Sequence, residues 1–137
     1  MTRYIIDTNV TVAWYFNEEF SPSAREWQDR MIEGKAFLIV PSLHYWEFGN
    51  ALRTHVIRNI LDEDLAQEIF TLHLDSPIEV LEPDRNAVLT NAFEYRATTY
   101  DAVFITLALS QDIQIITAER TTTHWVTKLG SRAIIVR

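Results

Sequence analysis

The sequence predicts an α/β fold built on a central, mostly parallel sheet of about four to five strands, and three observations predict it. Short apolar, β-branched runs alternate with segments of helical period along the chain. Those runs are apolar on both faces, as strands are when helices cover a sheet from either side. One helical segment, Asp101 to Leu109, is apolar almost throughout after its first residue and must therefore lie deep in the core.

The elements follow in order. Tyr4-Ile5-Ile6 is a buried strand that stops at Asp7-Thr8-Asn9, a cluster of turn and capping residues that leads into a helix. Val10 to Phe16 forms that short first helix, closed by Asn17-Glu18-Glu19. Ser21-Pro22-Ser23 opens a second helix, with proline tolerated in its first turn and Gly34 just beyond its end. Phe37 to Val40 is a strand, broken by Pro41-Ser42. From about Leu43 to Arg58, Leu43, Trp46, Phe48, Ala51, Leu52 and Val56 recur at mixed three- and four-residue spacings, a helical period. Asp62 to His73 repeats the pattern, with acids in its first turn and Leu65, Ile69 and Leu72 on one face, so the two segments form a helical hairpin. Ile78 to Leu81 is a strand, and Asp84 starts a helix that runs toward Arg96. After the apolar helix come a strand over Gln114 to Thr117, a helix over Thr122 to Leu129 stopped by Gly130, and a last strand over Ala133 to Val136. No repeat, low-complexity tract or linker interrupts this series, which reads as a single domain over residues 1–137.

With 47% hydrophobic and 23% charged residues the composition is that of an ordinary globular domain. A chain of this length buries roughly two-thirds of its unfolded surface and needs no disulfide or structural metal to hold a core. It has no cysteine, which excludes zinc ribbons and thiol nucleophiles and fits a reducing cytoplasm, the expected location. No uninterrupted apolar stretch exceeds Ala36 to Val40 in length, far short of the ~20 residues of a membrane helix. Asp7 arrives too early for the apolar stretch of a secretion signal. Nineteen acidic against twelve basic residues give a net charge of −7, which opposes binding to nucleic acid by general attraction. A carboxylate-held metal ion or a basic partner protein suits such a surface better.

In open parallel sheets ligands bind beyond the carboxyl ends of the strands. Asp7 terminates the first strand, Glu119 stands two residues past Thr117, Asp101 heads the apolar helix, and Glu47 lies in the first two turns of the helix after Pro41. Four acids can therefore converge on one edge. Taken singly, each has a plainer explanation: Asp7 and Asp101 as helix-start residues, Glu47 as a solvated side chain, Glu119 as half of a surface ion pair with Arg120. Together they would repel by about 4 kcal/mol per pair at 4 Å and an effective dielectric near 20. A divalent cation reverses that sign, and an all-oxygen donor set suits Mg²⁺ or Mn²⁺ rather than zinc.

Competing motifs are missing. Gly34, Gly49 and Gly130 cannot build a phosphate-cradling loop, and His44, His55, His73 and His124 lack zinc-hydrolase spacing and are expected at the surface or in packing. Ser42 lies in no nucleophile elbow, and position 9 lacks the second aspartate of a phosphoaspartyl phosphatase. Trp14, Trp27, Trp46 and Trp125 are expected to fill the core.

Four segments carry a family resemblance: Tyr4-Ile5-Ile6-Asp7-Thr8-Asn9-Val10, Pro41-Ser42-Leu43 with Glu47 and Asn50-Ala51-Leu52, Tyr100-Asp101-Ala102, and Ile115-Ile116-Thr117-Ala118-Glu119. In this order and separation they resemble the PIN-domain ribonucleases, and among them the VapC-like toxins of VapBC toxin–antitoxin systems. The resemblance covers essentially the whole chain. It implies a three-layer α/β/α fold and a Mg²⁺- or Mn²⁺-dependent endoribonuclease in which Asp7, Glu47, Asp101 and Glu119 hold the metal. Asn9, Asn50 and Thr117 would then orient carboxylates or waters around it. It also implies a homodimer, a cognate antitoxin, and transfer or ribosomal RNA as substrate. Glu119 stands where the family usually has Asp, a difference of one methylene, or about 1.5 Å of reach.

Two other readings use the same residues. A PIN-fold binding module without catalysis would take Glu119 as its first lost ligand, and would bind no Mn²⁺. A DNA or flap nuclease would need a helical arch or a basic duplex-holding segment, and the chain is too short to supply either.

Overall fold

The computed structural model describes residues 2–137. Five parallel strands form one sheet: β1 (Thr2–Ile6), β2 (Ala36–Val40), β3 (Glu79–Val80), β4 (Gln114–Thr117) and β5 (Ala133–Ile135), in the order β3-β2-β1-β4-β5. Between them run α1 (Thr8–Val12), α2 (Ser21–Ile32), α3 (Leu43–Ile57), α4 (Glu63–Leu74), α5 (Arg85–Glu94), α6 (Thr99–Gln111) and α7 (His124–Leu129). The first strand in sequence is thus the central one, with Ile5 in register with Ile39 on one side and Ile115 on the other.

Alternation along the strands splits the core in two. Tyr4, Ile6, Leu38, Val40 and Ile116 face α1, α2 and the turn between them, where Val10, Trp14, Ala24 and Met31 cover them. Ile5, Ile39 and Ile115 point the other way, against Phe104, Ile105, Leu107 and Ala108 of α6 and Trp125 and Val126 of α7. The result is the three-layer α/β architecture that the apolar strands and the apolar helix predict.

Local chemistry sets the helix ends. The carboxylates of Asp62 and Asp84 and the hydroxyl of Thr98 accept from backbone N–H groups of Leu65, Ala87 and Asp101, capping α4, α5 and α6. Gly34 closes α2 at φ +74°, with Gly34 N–H on Met31 O and Lys35 N–H on Arg30 O. A Cβ there would meet nothing within 4 Å, so Gly34→Ala should cost only the left-handed backbone term, about 1 kcal/mol, read as a lower urea midpoint at unchanged slope.

Several expectations are corrected. The first helix starts at Thr8 and ends at Val12 rather than spanning Val10 to Phe16, because Asp7 caps it and the chain then turns so that the Trp14 indole can donate to Ala24 O. Helix α3 buries His44, Phe48 and Leu52, one residue in four, and leaves Trp46 73% exposed. In α4 Leu65 and Leu72 are likewise exposed, and the buried residue is His73. Glu79 and Val80 of β3 are exposed, as befits a short edge strand. Among the described residues, every buried side-chain nitrogen and oxygen has a hydrogen-bond partner, and no helix is long and apolar enough to cross a membrane.

Candidate active site

The carboxyl ends of β1 and β4 lie side by side, paired through Ile6 and Ile116, and the chain leaves both into the same cleft. Asp7 is at its floor. Its backbone N–H donates to Ile116 O at 2.8 Å, which pins the residue to β4 before its side chain does anything. One carboxylate oxygen accepts from Thr8 N–H at 2.9 Å and the other from the Thr117 hydroxyl at 2.9 Å. Asp7 is therefore both the helix cap of the plain reading and a cleft residue.

Its neighbours come from separate elements. Thr117 Oγ1 also accepts from Glu119 N–H, and Asn9 Oδ1 accepts from Ala118 N–H, so both residues brace the turn that leaves β4. Glu47, from α3, accepts from the Thr8 hydroxyl at 2.9 Å. Asp101 stands in the first turn of α6, above its Thr98 cap. Glu119 accepts from the Thr123 hydroxyl at 3.1 Å and from Arg120 N–H at 3.3 Å; among the described residues its carboxylate makes no ion pair with the Arg120 side chain. Asp7, Asn9, Glu47, Asn50, Asp101 and Glu119 all line this cleft of about 590 Å³, and Phe20 and Val12 supply apolar wall. Thr117, fully buried, lies beneath it.

The crowding shows in proton affinities. Burial pushes the Asp7 carboxyl from 3.8 up to about 7, against the Thr117 and Thr8 hydrogen bonds and with the charges of Asp101 and Glu47 adding to it. Burial also raises Glu47, with Asp101 contributing and the Thr8 hydroxyl opposing. Asp101 is raised by burial first and then by Glu119. Glu47, Asp101 and Glu119 thus each raise a neighbouring acid, and metal-free the cluster resists full ionisation. Among the described residues, no three of these donors are close enough to enclose an ion directly. The all-oxygen, electron-rich set still fits a hard dication that keeps several of its own waters and takes few direct carboxylates, as Mg²⁺ does.

The sequence profile of the PIN domain matches residues 4–122. The chain belongs to the PIN-domain family. PIN domains are generally metal-dependent nucleases that use Mg²⁺ or Mn²⁺. The crystal structure of PAE2754 from Pyrobaculum aerophilum has the same fold, with a TM-score of 0.72 and 22% identity over 99% of this chain and 92% of that one. No curated protein matches the chain in sequence.

All seven residues that sequence reasoning singled out fall in or under the cleft of this PIN domain, although Asn50 is exposed at its rim. Sequence reasoning missed Thr8, whose hydroxyl reaches Glu47, and the pair His44 and His73, both fully buried. Thr8 had a signal in its place between Asp7 and Asn9. His73 had none, since nothing in its neighbourhood distinguishes a buried imidazole from a solvated one.

Proposed function

We propose that this PIN domain is a Mg²⁺- or Mn²⁺-dependent endoribonuclease that acts as the toxin of a type II toxin–antitoxin pair. One observation carries the catalytic part: four acids from four separate chain segments line a single cleft at the carboxyl edge of the sheet, and three have raised proton affinity. Such a set is costly unless a cation neutralises it.

Asp7, Glu47, Asp101 and Glu119 would hold the metal, Glu119 with one carboxylate oxygen already engaged by the Thr123 hydroxyl. When bound, the ion supplies an activated water and charge compensation for a scissile phosphate. Thr117 and the Thr8 N–H keep both Asp7 oxygens in place, so the carboxylate needs little reorganisation. Asn9 ties α1 to the β4 turn, and Asn50 offers a polar group to a sugar or phosphate at the rim.

An apolar groove of about 700 Å³ between α3 and α4 supports the toxin part. Trp46, Leu52, Val56, Ile57 and Phe70 line it, and it shares Asn50 with the acidic cleft. An antitoxin segment carrying apolar side chains and a terminal basic residue would satisfy both surfaces at once. In this reading the chain works as one domain over residues 1–137, pairs with a second copy, and acts in the cytoplasm on transfer or ribosomal RNA.

Incubation of the purified protein with structured RNA decides the catalytic part. Cleavage should appear with Mn²⁺ or Mg²⁺ and stop on adding EDTA. Cleavage that survives EDTA, or no Mn²⁺ uptake at millimolar concentration, would overturn the reading, the latter in favour of a non-catalytic binding module.

A further inference from the structure

From Glu47 a line of polar groups runs inward, through Thr8 of the cleft lining to two buried imidazoles. The Thr8 hydroxyl lies 2.9 Å from Glu47 Oε1 and 2.9 Å from His44 Nδ1. His44 Nε2 lies 2.8 Å from His73 Nε2, and His73 Nδ1 lies 2.9 Å from the Tyr15 hydroxyl. Both imidazoles are fully buried, from α3 and α4 respectively.

We propose that Tyr15, His73, His44 and Thr8 form a one-directional hydrogen-bond chain that fixes the carboxylate of Glu47, making the two histidines positioning residues for the metal-binding edge. This rests on the nuclease reading above.

Counting protons sets the direction. Glu47 Oε1 accepts from the Thr8 hydroxyl, which then has no proton left for His44. His44 Nδ1 must therefore carry a hydrogen and donate to Thr8. A neutral imidazole has one N–H, so His44 Nε2 is an acceptor, and the facing His73 Nε2 is the donor. His73 Nδ1 then accepts from the Tyr15 hydroxyl. All four bonds point toward Glu47, each polarising the next. Neutrality of both rings fits their burial, which lowers His44 to about 3 and His73 to about 4, the neighbouring His73 adding to the effect on His44.

Packing locks the ring planes. Phe48 stacks on His73 at 4.0 Å between centroids, and Tyr15 meets the same ring edge-on at 5.5 Å. A space-filling role alone would be served as well by leucine or methionine, without the cost of burying two imidazoles. What the polar pair adds is a link from α4, through α3 and α1, to one oxygen of a cleft carboxylate.

Two measurements test the chain. In the metal-free parent protein, long-range ¹H–¹⁵N correlation spectra of the histidine side chains should show His44 as the Nδ1–H tautomer and His73 as the Nε2–H tautomer at pH 7. The opposite assignment for either ring overturns the stated direction. The second measurement is the Mn²⁺ dissociation constant of two variants whose folding is checked by near-ultraviolet circular dichroism. His73→Met, which keeps the volume and loses the donor, should weaken Mn²⁺ binding about 5- to 10-fold, at or below the low end of the range for groups that orient ligands. His73→Gln, whose amide N–H takes the place of Nε2–H, should stay within about twofold of the parent, a rescue that packing alone does not predict. Parent uptake with an unchanged constant for His73→Met sinks this inference and leaves the nuclease reading standing. No uptake by the parent sinks that reading and the positioning role together, while the tautomers still report whether the chain is directed.

Discussion

Asp7→Asn protein should lose RNA cleavage by about 10³-fold or more and yet unfold at a higher temperature than the parent when both are metal-free. The loss follows from the role proposed for Asp7: removing a charge that would anchor a dication would forfeit several kcal/mol of transition-state stabilisation, and each 1.36 kcal/mol is tenfold in rate. The gain follows from the raised proton affinity of Asp7, at 3.8 normally and about 7 in the folded chain. Between those two values the folded state binds more protons than the unfolded one, so stability falls as pH rises through that window. At neutral pH the carboxylate therefore works against the fold, by up to about 4 kcal/mol at about 1.4 kcal/mol per pKa unit. Asparagine has no charge to desolvate and keeps the oxygen that accepts from Thr8 N–H. Recovery of on the order of 1–2 kcal/mol, a rise of several degrees in Tm, is expected. Calorimetry of parent and variant in EDTA checks it, and a variant less stable than the parent above pH 7 would contradict the account of Asp7.

Acid should release the metal steeply. Because Asp7 is largely protonated below about 7, an ion binding there must displace that proton, and the dissociation constant for Mn²⁺ should rise about tenfold for each pH unit from 7 down to 5. Glu47 and Asp101, also raised, steepen the lower part of that curve. Above pH 8 the dependence should flatten. Isothermal titration in two buffers of different ionisation enthalpy reads the proton directly, and about one should leave per ion at pH 6. An affinity constant between pH 5 and 7 would mean that the ion does not touch Asp7. The same linkage predicts that saturating Mn²⁺ at about 100 times its dissociation constant raises parent stability by about 2.7 kcal/mol and leaves Asp7→Asn unmoved.

Much of this was legible in one dimension. The strands at Tyr4–Ile6, Phe37–Val40 and Gln114–Thr117 stand where their apolar runs end in turn residues, and the caps at Asp62 and Asp84 stand where a carboxylate precedes a helical period. The four acids were legible for a related reason: each lies just past the end of a strand or within the first two turns of a helix, and parallel sheets deliver such positions to one edge. Helix rotation was not. Phe48 and Leu52, which carry the apolar period of α3, are buried, but Trp46 and, in α4, Leu72 carry the same period and point to solvent, while His44 and His73 are buried in their place. An error of one residue turns a helix by about 100°, enough to exchange a wall for a surface.

The sequence by itself determined the fold class, the order of its elements, and which carboxylates could meet, because hydrophobic period, capping and strand termination are local properties written in neighbouring residues. Only the tertiary structure decided that Thr8 touches Glu47 and that His44 meets His73, residues 39 and 29 positions apart. Those contacts depend on how α1, α3 and α4 are turned about their own axes against the sheet, and that is settled by packing the whole core at once.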